Sequence, residues 1–202
     1  MLSDVVIVPT GVANLASVRA SLRRLGARSV VDADPVRARS ADHVILPGVG
    51  AFGPAMQQLR SNDLGDALRE RVGEGRPTLT ICLGMHILCV DSEESPGVSG
   101  LGLVDASVRR YPATVRVPQF GWNRVEGPQS SGYLRSGYAY FANAYRLSRA
   151  PQGWDCAMAE HGGPFVAALE RGDVVACQFH PELSGLYGAA LLGRWLGQGA
   201  AC

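Results

Sequence analysis

The sequence predicts an α/β fold: a doubly wound, mostly parallel sheet flanked by helices, with extra antiparallel strands in the second half. In the first half, β-branched runs alternate with segments whose apolar residues recur at helical spacing, which is typical of parallel sheets. In the second half, short apolar runs between glycines and prolines indicate added antiparallel strands. With 202 residues, 47% of them hydrophobic, the chain can bury a sizeable core, so we expect a single domain over residues 1–202.

The first half contains the alternating elements. Leu15, Val18, Leu22 and Leu25 recur at helical spacing after Asn14, which is the predicted N-cap of that helix. The strands of this half are predicted over residues 5–8, 29–31, 43–46 and 77–81, with the first of them central in the sheet. Further helices are predicted after the glycine-rich loop 47–53, around residues 64–72, and over 85–90.

The second half is predicted to be rich in short strands. A tight turn at Glu170-Arg171-Gly172-Asp173 joins two apolar runs, which predicts a hairpin. A helix from Leu186 to Leu196 is predicted to close the fold. The strands of this half are predicted over residues 101–104, 108–111, 114–117, 138–142, 156–159, 165–169 and 174–179.

Charge and composition exclude several classes of partner. The net charge of +1 favours neither nucleic acid nor an anionic membrane surface as a partner. No apolar run approaches the roughly 20 residues that a membrane span needs, and the start does not resemble a signal peptide. The five cysteines form no C-x-x-C pair, so we expect reduced thiols in the cytoplasm and neither disulfides nor a metal site. Residues 197–202 are predicted to be frayed.

Cys82 lies where a predicted buried strand turns sharply into a helix, and Gly84 relieves the crowding at this turn. Such a turn is a nucleophile elbow, which lifts a reactive side chain to the carboxyl edge of the sheet. There the helix amino terminus stabilises a thiolate, and the next backbone amide can hold an oxyanion. On this stretch alone, a buried and inert cysteine fits equally well.

His180 is the histidine that best fits a base for this thiol. It follows the apolar run 174–179 and therefore emerges at the carboxyl end of a strand. Glu182 lies two residues on, and in extended backbone it projects the same way and can accept the imidazole N–H. We therefore expect a Cys82–His180–Glu182 triad, against the alternative of a surface His-Pro-Glu turn. Two other histidines are predicted outside the site: His43, structural in a buried strand, and His161, solvated in a polar turn.

The motifs Cys-Leu-Gly-Met at 82–85 and Gln-Phe-His-Pro-Glu at 178–182 resemble those of the class I (triad) glutamine amidotransferases. More narrowly, the chain resembles the glutaminase subunits of imidazole glycerol phosphate synthase, to which Gly121-Trp122-Asn123 and Pro47-Gly48-Val49-Gly50 point. The resemblance covers almost the whole chain in the family's order. Its supporting stretches are 13–18, 46–50, 92–94, 117–123, 140–141 and 179–185.

The resemblance implies a flavodoxin-like amidotransferase domain that hydrolyses L-glutamine without a cofactor. Cys82 would attack the side-chain amide, His180 would move the proton, and Glu182 would orient the imidazole. Backbone amides near Leu83 and in the Gly48-Val49-Gly50 loop would hold the oxyanion.

The resemblance also implies a partner. Ammonia would pass through a channel to a β/α-barrel synthase subunit in L-histidine biosynthesis, so a heterodimer is expected. By analogy, Asn14, Trp122 and Asn123 would lie near that interface, although a helix cap and core packing explain each of them almost as well.

Four positions depart from the family's pattern. Thr80 replaces a glycine of the elbow, and His86 replaces a substrate-binding glutamine one helical turn from Cys82. Gln119 and Asn143 each replace a histidine. If the family's substrate pose is kept, His86→Gln should lower the KM for glutamine.

Three alternatives stay open at this point. Gly48-x-Gly50-x-x-Gly53 follows a strand and opens a helix, as in dinucleotide-binding modules, but no acidic residue follows at the expected distance. A diverged subunit could keep the fold and act only as a scaffold for its synthase, or serve another pathway. A stand-alone cysteine hydrolase or chaperone of a related fold is the third alternative.

Overall fold

A computed structural model describes residues 4–10 and 14–198, so the predictions for residues 11–13 and for the tail beyond 198 lie outside the described residues. The strands are β1 Asp4–Ile7, β2 Arg28–Val31, β3 His43–Gly48, β4 Thr78–Cys82, β5 Cys89–Ser92, β6 Val104–Arg110, β7 Gln119–Val125, β8 Gly137–Asn143, β9 Tyr145–Arg146, β10 Asp155–Glu160, β11 Pro164–Arg171 and β12 Val174–Cys177. The helices are α1 Leu15–Arg24, α2 Pro35–Ser40, α3 Phe52–Ser61, α4 Leu64–Gly73, α5 Leu83–Leu88 and α6 Gly185–Trp195, with a 3-10 turn at Pro181–Leu183.

A seven-stranded sheet organises the chain, in the order β10-β11-β12-β4-β3-β1-β2. From β12 to β2 all neighbours pair in parallel, whereas β11 and β10 extend the sheet in antiparallel pairing. Two smaller sheets, β5-β6-β9 and β7-β8, decorate it. The predicted fold class and the hairpin between β11 and β12 are confirmed.

The parallel strands bury both of their faces, which explains their nearly continuous apolar sequences. Leu79 and Ile81 of β4 pack into one hydrophobic cluster with α1 and α6. Leu46 of β3 packs into a second cluster, on the opposite face, with α3, α4 and α5. Because successive side chains of a strand alternate between the faces, each strand contributes to both layers.

The order of the strands corrects one prediction and positions the candidate site. β1 is not central, because it lies second from the edge; β4 is the fourth of the seven strands and has β3 and β12 as parallel neighbours. The carboxyl ends of β4 and β12 therefore meet at one edge of the sheet. Cys82 and the residues that follow Cys177 are brought together there.

Several local predictions are wrong at their ends or altogether. The helix predicted over 85–90 ends at Leu88, because Val90 belongs to β5, where its carbonyl accepts the Gly100 amide at 2.8 Å. The run 114–117 forms no strand, and strand structure near 101–104 begins only at Val104. Helix α2 and strand β7 were not predicted, although Asp34 and Pro35 supply an N-cap and a first residue that favour a helix.

Cys82, Cys89, Cys156 and Cys177 are free thiols. Cys202 lies outside the described residues. Within residues 4–10 and 14–198, no helix has both the length and the apolar character needed to cross a membrane.

Candidate active site

Cys82 ends β4 in a backbone conformation that residues other than glycine rarely adopt. Its φ of 52° and ψ of −106° turn the chain sharply from the strand into α5. Such a conformation costs on the order of 1–3 kcal/mol in a non-glycine residue and persists only where its surroundings enforce it. The strained turn has the geometry of the predicted nucleophile elbow.

Close packing of β3 against the start of α5 enforces this turn. A Cβ atom on Gly84 would lie 2.2 Å from the carbonyl oxygen of Leu46, and one on Gly48 would lie 2.7 Å from Cβ of Leu83. Both distances are shorter than real contacts allow, so only glycine fits at either position. Thr80 packs against Gly84, and its buried hydroxyl has no hydrogen-bond partner among the described residues.

His180 and Glu182 form a buried pair beyond the end of β12. Nδ1 of His180 lies 2.9 Å from Oε1 of Glu182, and the His180 amide donates to the Tyr140 carbonyl oxygen of β8 at 2.9 Å. The expected contact forms, but the argument from extended backbone is wrong. Glu182 lies in the 3-10 turn Pro181–Leu183, which bends its carboxylate back to the imidazole.

The charges around His180 favour the imidazolium. Burial lowers the pKa of His180, but hydrogen bonding with Cys82 and Glu182, together with their negative charges, outweighs burial and raises the pKa to about 10. Nδ1–H donates to Glu182, which leaves Nε2 as the nitrogen that can exchange a proton with the thiol. Cys82, His180 and Glu182 therefore have the contacts that a nucleophile, a base and an orienting carboxylate would need.

Gln178 joins this group, although it was not among the predicted site residues. Its Nε2 lies 3.8 Å from Sγ of Cys82, and its Oε1 lies 2.7 Å from Nε2 of His86. Burial lowers the pKa of His86 to about 4, against the opposing effect of the hydrogen bond with Gln178, so this imidazole is neutral at pH 7. An amide at the end of an otherwise apolar strand run was the signal that could have identified Gln178.

A cavity of about 230 Å³ opens next to Cys82, and all but one of the predicted oxyanion and substrate residues line it. Val49, Gly50, Leu83 and His86 line it, whereas Gly48 lies behind the wall against Leu83. The first amides of a helix have no partner within that helix, so the start of α5 can offer donors here. The remaining lining residues are Glu94, Pro118, Ala142, Asn143, Ala144 and Tyr145.

Two of the substituted positions form one hydrogen-bonded group beside the cavity. Gln119 and Asn143 face each other across β7 and β8, and the Tyr111 hydroxyl joins them. It donates to Oε1 of Gln119 at 2.8 Å and accepts from Nδ2 of Asn143 at 3.0 Å. Oδ1 of Asn143 is buried without a hydrogen-bond partner among the described residues.

The glycine-rich loop before α3 does not offer a phosphate site. The amides of Phe52 and Gly53, which open α3, donate at 3.0 Å to a Glu94 carboxylate oxygen and to the Ser95 hydroxyl. A pyrophosphate would need these same amides and would meet the charge of Glu94. The dinucleotide-binding alternative is therefore disfavoured.

The predicted interface residues differ in their surroundings. Asn14 caps α1 as predicted, because its side chain accepts from the Ser17 amide at 3.3 Å. Asn123 donates to the Glu160 carbonyl oxygen at 2.9 Å. The alternative of core packing is wrong for Trp122, which is 58% exposed on the outer face of β7–β8, together with Phe120.

The two other histidines do not line the cavity next to Cys82. His43 opens β3 and packs edge-on against Trp195, in agreement with a structural role. His161 is not merely solvated: its ring packs edge-on against Tyr111, and its Nε2 lies 2.9 Å from the Arg116 carbonyl oxygen.

The chain is similar over nearly its whole length to known proteins of one family. The family model "Glutamine amidotransferase class-I" matches residues 7–194. The imidazole glycerol phosphate synthase subunit HisH of Symbiobacterium thermophilum is 40% identical over 199 residues, covering 96% of this chain and 93% of that protein. The HisH subunit of Yersinia pseudotuberculosis is 39% identical over 199 residues, covering 96% and 98%.

Solved structures share the fold. A crystal structure of a glutamine amidotransferase matches with a TM-score of 0.75 and 24% identity, over 95% of this chain and 96% of that chain. PurLQS from Thermotoga maritima matches with a TM-score of 0.78 and 15% identity, over 98% and 99%. The family model and the two relatives together cover nearly all of the described residues. The chain therefore belongs to the class-I glutamine amidotransferase family and, within it, groups with the HisH subunits of imidazole glycerol phosphate synthase.

Proposed function

We propose that this chain is the glutaminase subunit of an imidazole glycerol phosphate synthase. It hydrolyses L-glutamine to glutamate and ammonia with Cys82, His180 and Glu182, and it supplies the ammonia to a β/α-barrel synthase subunit in histidine biosynthesis. The observation that carries the proposal is a thiol on a strained turn beside a carboxylate-held imidazole, in a chain whose relatives are HisH subunits.

The reaction begins with attack of the Cys82 thiolate on the carboxamide carbon of glutamine. The carbonyl oxygen becomes an oxyanion, which the backbone amides of the Gly48-Val49-Gly50 loop and of Leu83 stabilise. His180, as imidazolium, gives its proton to the amide nitrogen, and the carbon–nitrogen bond breaks to release ammonia and leave a thioester.

Hydrolysis of the thioester completes the cycle. Water attacks the carbonyl carbon while His180 takes one of its protons, and the carbon–sulfur bond breaks to release glutamate and the thiolate. Glu182 holds Nδ1–H of His180 throughout, which fixes the ring and stabilises the imidazolium. The raised pKa of His180 suits the first step, because the imidazolium is already formed when the thiolate attacks.

The exposed aromatic face of β7–β8 is the surface that we propose for the synthase partner. Phe120, Trp122 and Tyr138 lie exposed on it, and such rings are enriched at protein interfaces. Strand β8 also accepts the His180 amide through the Tyr140 carbonyl oxygen, so the partner's surface and the triad share one strand.

We also propose that the chain works as one domain, since both hydrophobic clusters draw residues from its two halves. The unpaired Cys82 thiol fits a reducing compartment, so we also propose that the chain acts in the cytoplasm.

Glutamate release tests the proposal. The chain is assayed with its barrel subunit and a nucleotide ligand of that subunit, beside Cys82→Ala and the matched control Cys156→Ala, which removes a thiol away from the cavity. We expect partner-dependent release that Cys82→Ala abolishes and Cys156→Ala retains. A well-formed complex without glutamate release would overturn the proposal and favour a scaffold subunit, with Thr80 and His86 as the first residues to restore.

A further inference from the structure

We propose that His86 and Gln178 form a positioning pair that holds an amide N–H toward the Cys82 sulfur and stabilises its thiolate. The proposal deepens the function proposed above and rests on it for its meaning in catalysis. It concerns three side chains from three neighbouring places: Cys82 at the end of β4, His86 one turn into α5, and Gln178 just beyond β12.

Two hydrogen bonds connect His86, Gln178 and Cys82 in series. Nε2 of His86 lies 2.7 Å from Oε1 of Gln178, and Nε2 of Gln178 lies 3.8 Å from Sγ of Cys82. Gln178 is fully buried and His86 is nearly so. Water therefore does not compete for these hydrogen bonds, and a buried amide that lost one partner would leave a polar group unpaired.

The chemistry of the donors fixes the direction of the two hydrogen bonds. A thiolate has no hydrogen to donate, so only the NH₂ group of Gln178 can face it favourably. The carbonyl oxygen of Gln178 then faces His86 and can only accept, so Nε2 of His86 carries the hydrogen. A neutral imidazole in this tautomer thus holds the glutamine amide in the orientation that the thiolate needs.

This arrangement changes the role expected for His86. Its Nε2 is engaged by Gln178, so this nitrogen is not available to a substrate, although the residue lines the cavity. His86 therefore acts on catalysis through Gln178, and the pair adds a donor to Cys82 from the side of β12.

Other groups also affect the charge of Cys82, and the test must hold them constant. The titratable groups next to the sulfur or around its cavity are His180 and Glu182 beyond β12, His86 on α5, Glu94 after β5, Tyr111 after β6 and Tyr145 on β9. None of them is changed in the variants below except His86.

The experiment measures how fast iodoacetamide alkylates Cys82 as a function of pH, in the full chain, with the modified peptide identified by mass spectrometry. This readout needs neither glutamine nor the synthase partner. Burial raises the pKa of the Cys89 and Cys177 thiols, and that of Cys156 to about 11, so these residues serve as slow internal references.

Four variants separate positioning from packing. Gln178→Leu and Gln178→Met remove the N–H donor without adding a charge, and we expect each to raise the pH midpoint of alkylation by about one unit, the effect of one hydrogen bond to a charged group. His86→Leu releases the Gln178 amide and should raise the midpoint by a smaller amount. His86→Gln can still donate to Gln178 and should restore the wild-type midpoint. Circular dichroism at each pH verifies that every variant is folded.

Unchanged midpoints in folded Gln178 and His86 variants would overturn the proposal. If the leucine variants do not fold, the nearly isosteric and uncharged Gln178→Met decides alone: a wild-type midpoint overturns the positioning role. A changed KM for glutamine with wild-type midpoints throughout would also overturn it, in favour of direct substrate contact by His86. Shifted midpoints in a chain that releases no glutamate even in a well-formed complex with its barrel subunit would uphold the pair while overturning the proposed function.

Discussion

At the scale of single residues, the His180–Glu182 pair couples the stability of the fold to pH. The pKa of His180 rises from 6.5 to about 10 in the folded chain. A group with a raised pKa stabilises the fold fully below its unfolded pKa, and this contribution disappears as the pH rises through its folded pKa. The pair therefore stabilises the protein most at neutral and mildly acidic pH.

We expect the free energy of unfolding of the wild type to fall, relative to that of Glu182→Gln, between pH 6.5 and 10. The carboxylate is what the variant lacks, so its His180 should titrate closer to the ordinary value and contribute less at neutral pH. The difference between the two proteins should reach about 1–3 kcal/mol, and chemical denaturation at pH 6, 8 and 10 measures it.

Glu126→Gln is the control for this comparison, because Glu126 forms an exposed ion pair with Arg124, 3.6 Å away. Such a pair contributes little to stability, so its pH profile should follow that of the wild type. Parallel profiles for the wild type and Glu182→Gln would show that the buried pair does not couple the stability of the fold to pH.

At the scale of elements, the elbow was predictable because its signals are local. A buried strand, a cysteine and a nearby glycine stand within a few residues, and they fix the strand–turn–helix geometry around Cys82. The grouping of His180 with Cys82 was predictable because His180 follows a strand, and the carboxyl ends of parallel strands meet at one edge of the sheet. The partner of His86 was not, since Gln178 lies 92 residues away and only the pairing of β12 with β4 brings them together.

Strands β5 and β7 were not predicted, and each depends on residues outside its own stretch of sequence. β5 follows α5 without a break in the apolar pattern, so its start depends on hydrogen bonds with residues 100–103 and with β6. β7 begins with Gln119 and contains Gly121 and Asn123, residues that are depleted in strands. Its pairing with β8 over all seven residues outweighs these unfavourable preferences.

The contact between β3 and α5 gives a prediction at this scale. Gly84→Ala would place a Cβ 2.2 Å from the Leu46 carbonyl oxygen, so β3 and α5 must separate. We expect a loss of at least about 2 kcal/mol in the free energy of unfolding and a loss of glutaminase activity, because the oxyanion donors move with these elements. Chemical denaturation and glutamate release measure the two effects.

Gly73→Ala is the matched control, because Gly73 ends α4 and a Cβ there meets nothing within 4 Å. This change should be neutral or stabilise the protein by up to about 1 kcal/mol, since alanine favours helices. An equally small effect of Gly84→Ala would contradict the close approach of β3 and α5.

At the scale of the whole molecule, the active site and the aromatic face are connected through β8. The Tyr140 amide donates to the Ser184 hydroxyl at 2.9 Å, and its carbonyl oxygen accepts the His180 amide. The Tyr140 ring contacts both Phe120 and Trp122 edge-on. A protein bound on the aromatic face would therefore contact the rings that pack on Tyr140. The backbone of Tyr140 in turn bonds to His180 and Ser184, on either side of the 3-10 turn Pro181–Leu183.

This connection makes Trp122 the residue on which partner binding should depend most. Trp122→Ala removes a large exposed ring from β7, and we expect the affinity for the barrel subunit to fall by about 2 kcal/mol, or roughly 30-fold, because aromatic anchors dominate such interfaces. Val36→Ala on α2 is the control, since Val36 is an apolar side chain of similar exposure, 64%, outside this face. Calorimetric titration with the barrel subunit measures both affinities. Equal affinities for the two variants would show that the interface lies outside β7–β8. A selective loss of affinity in Trp122→Ala, with reduced glutamate release at subsaturating partner, would show that partner binding on the aromatic face affects the site around Cys82.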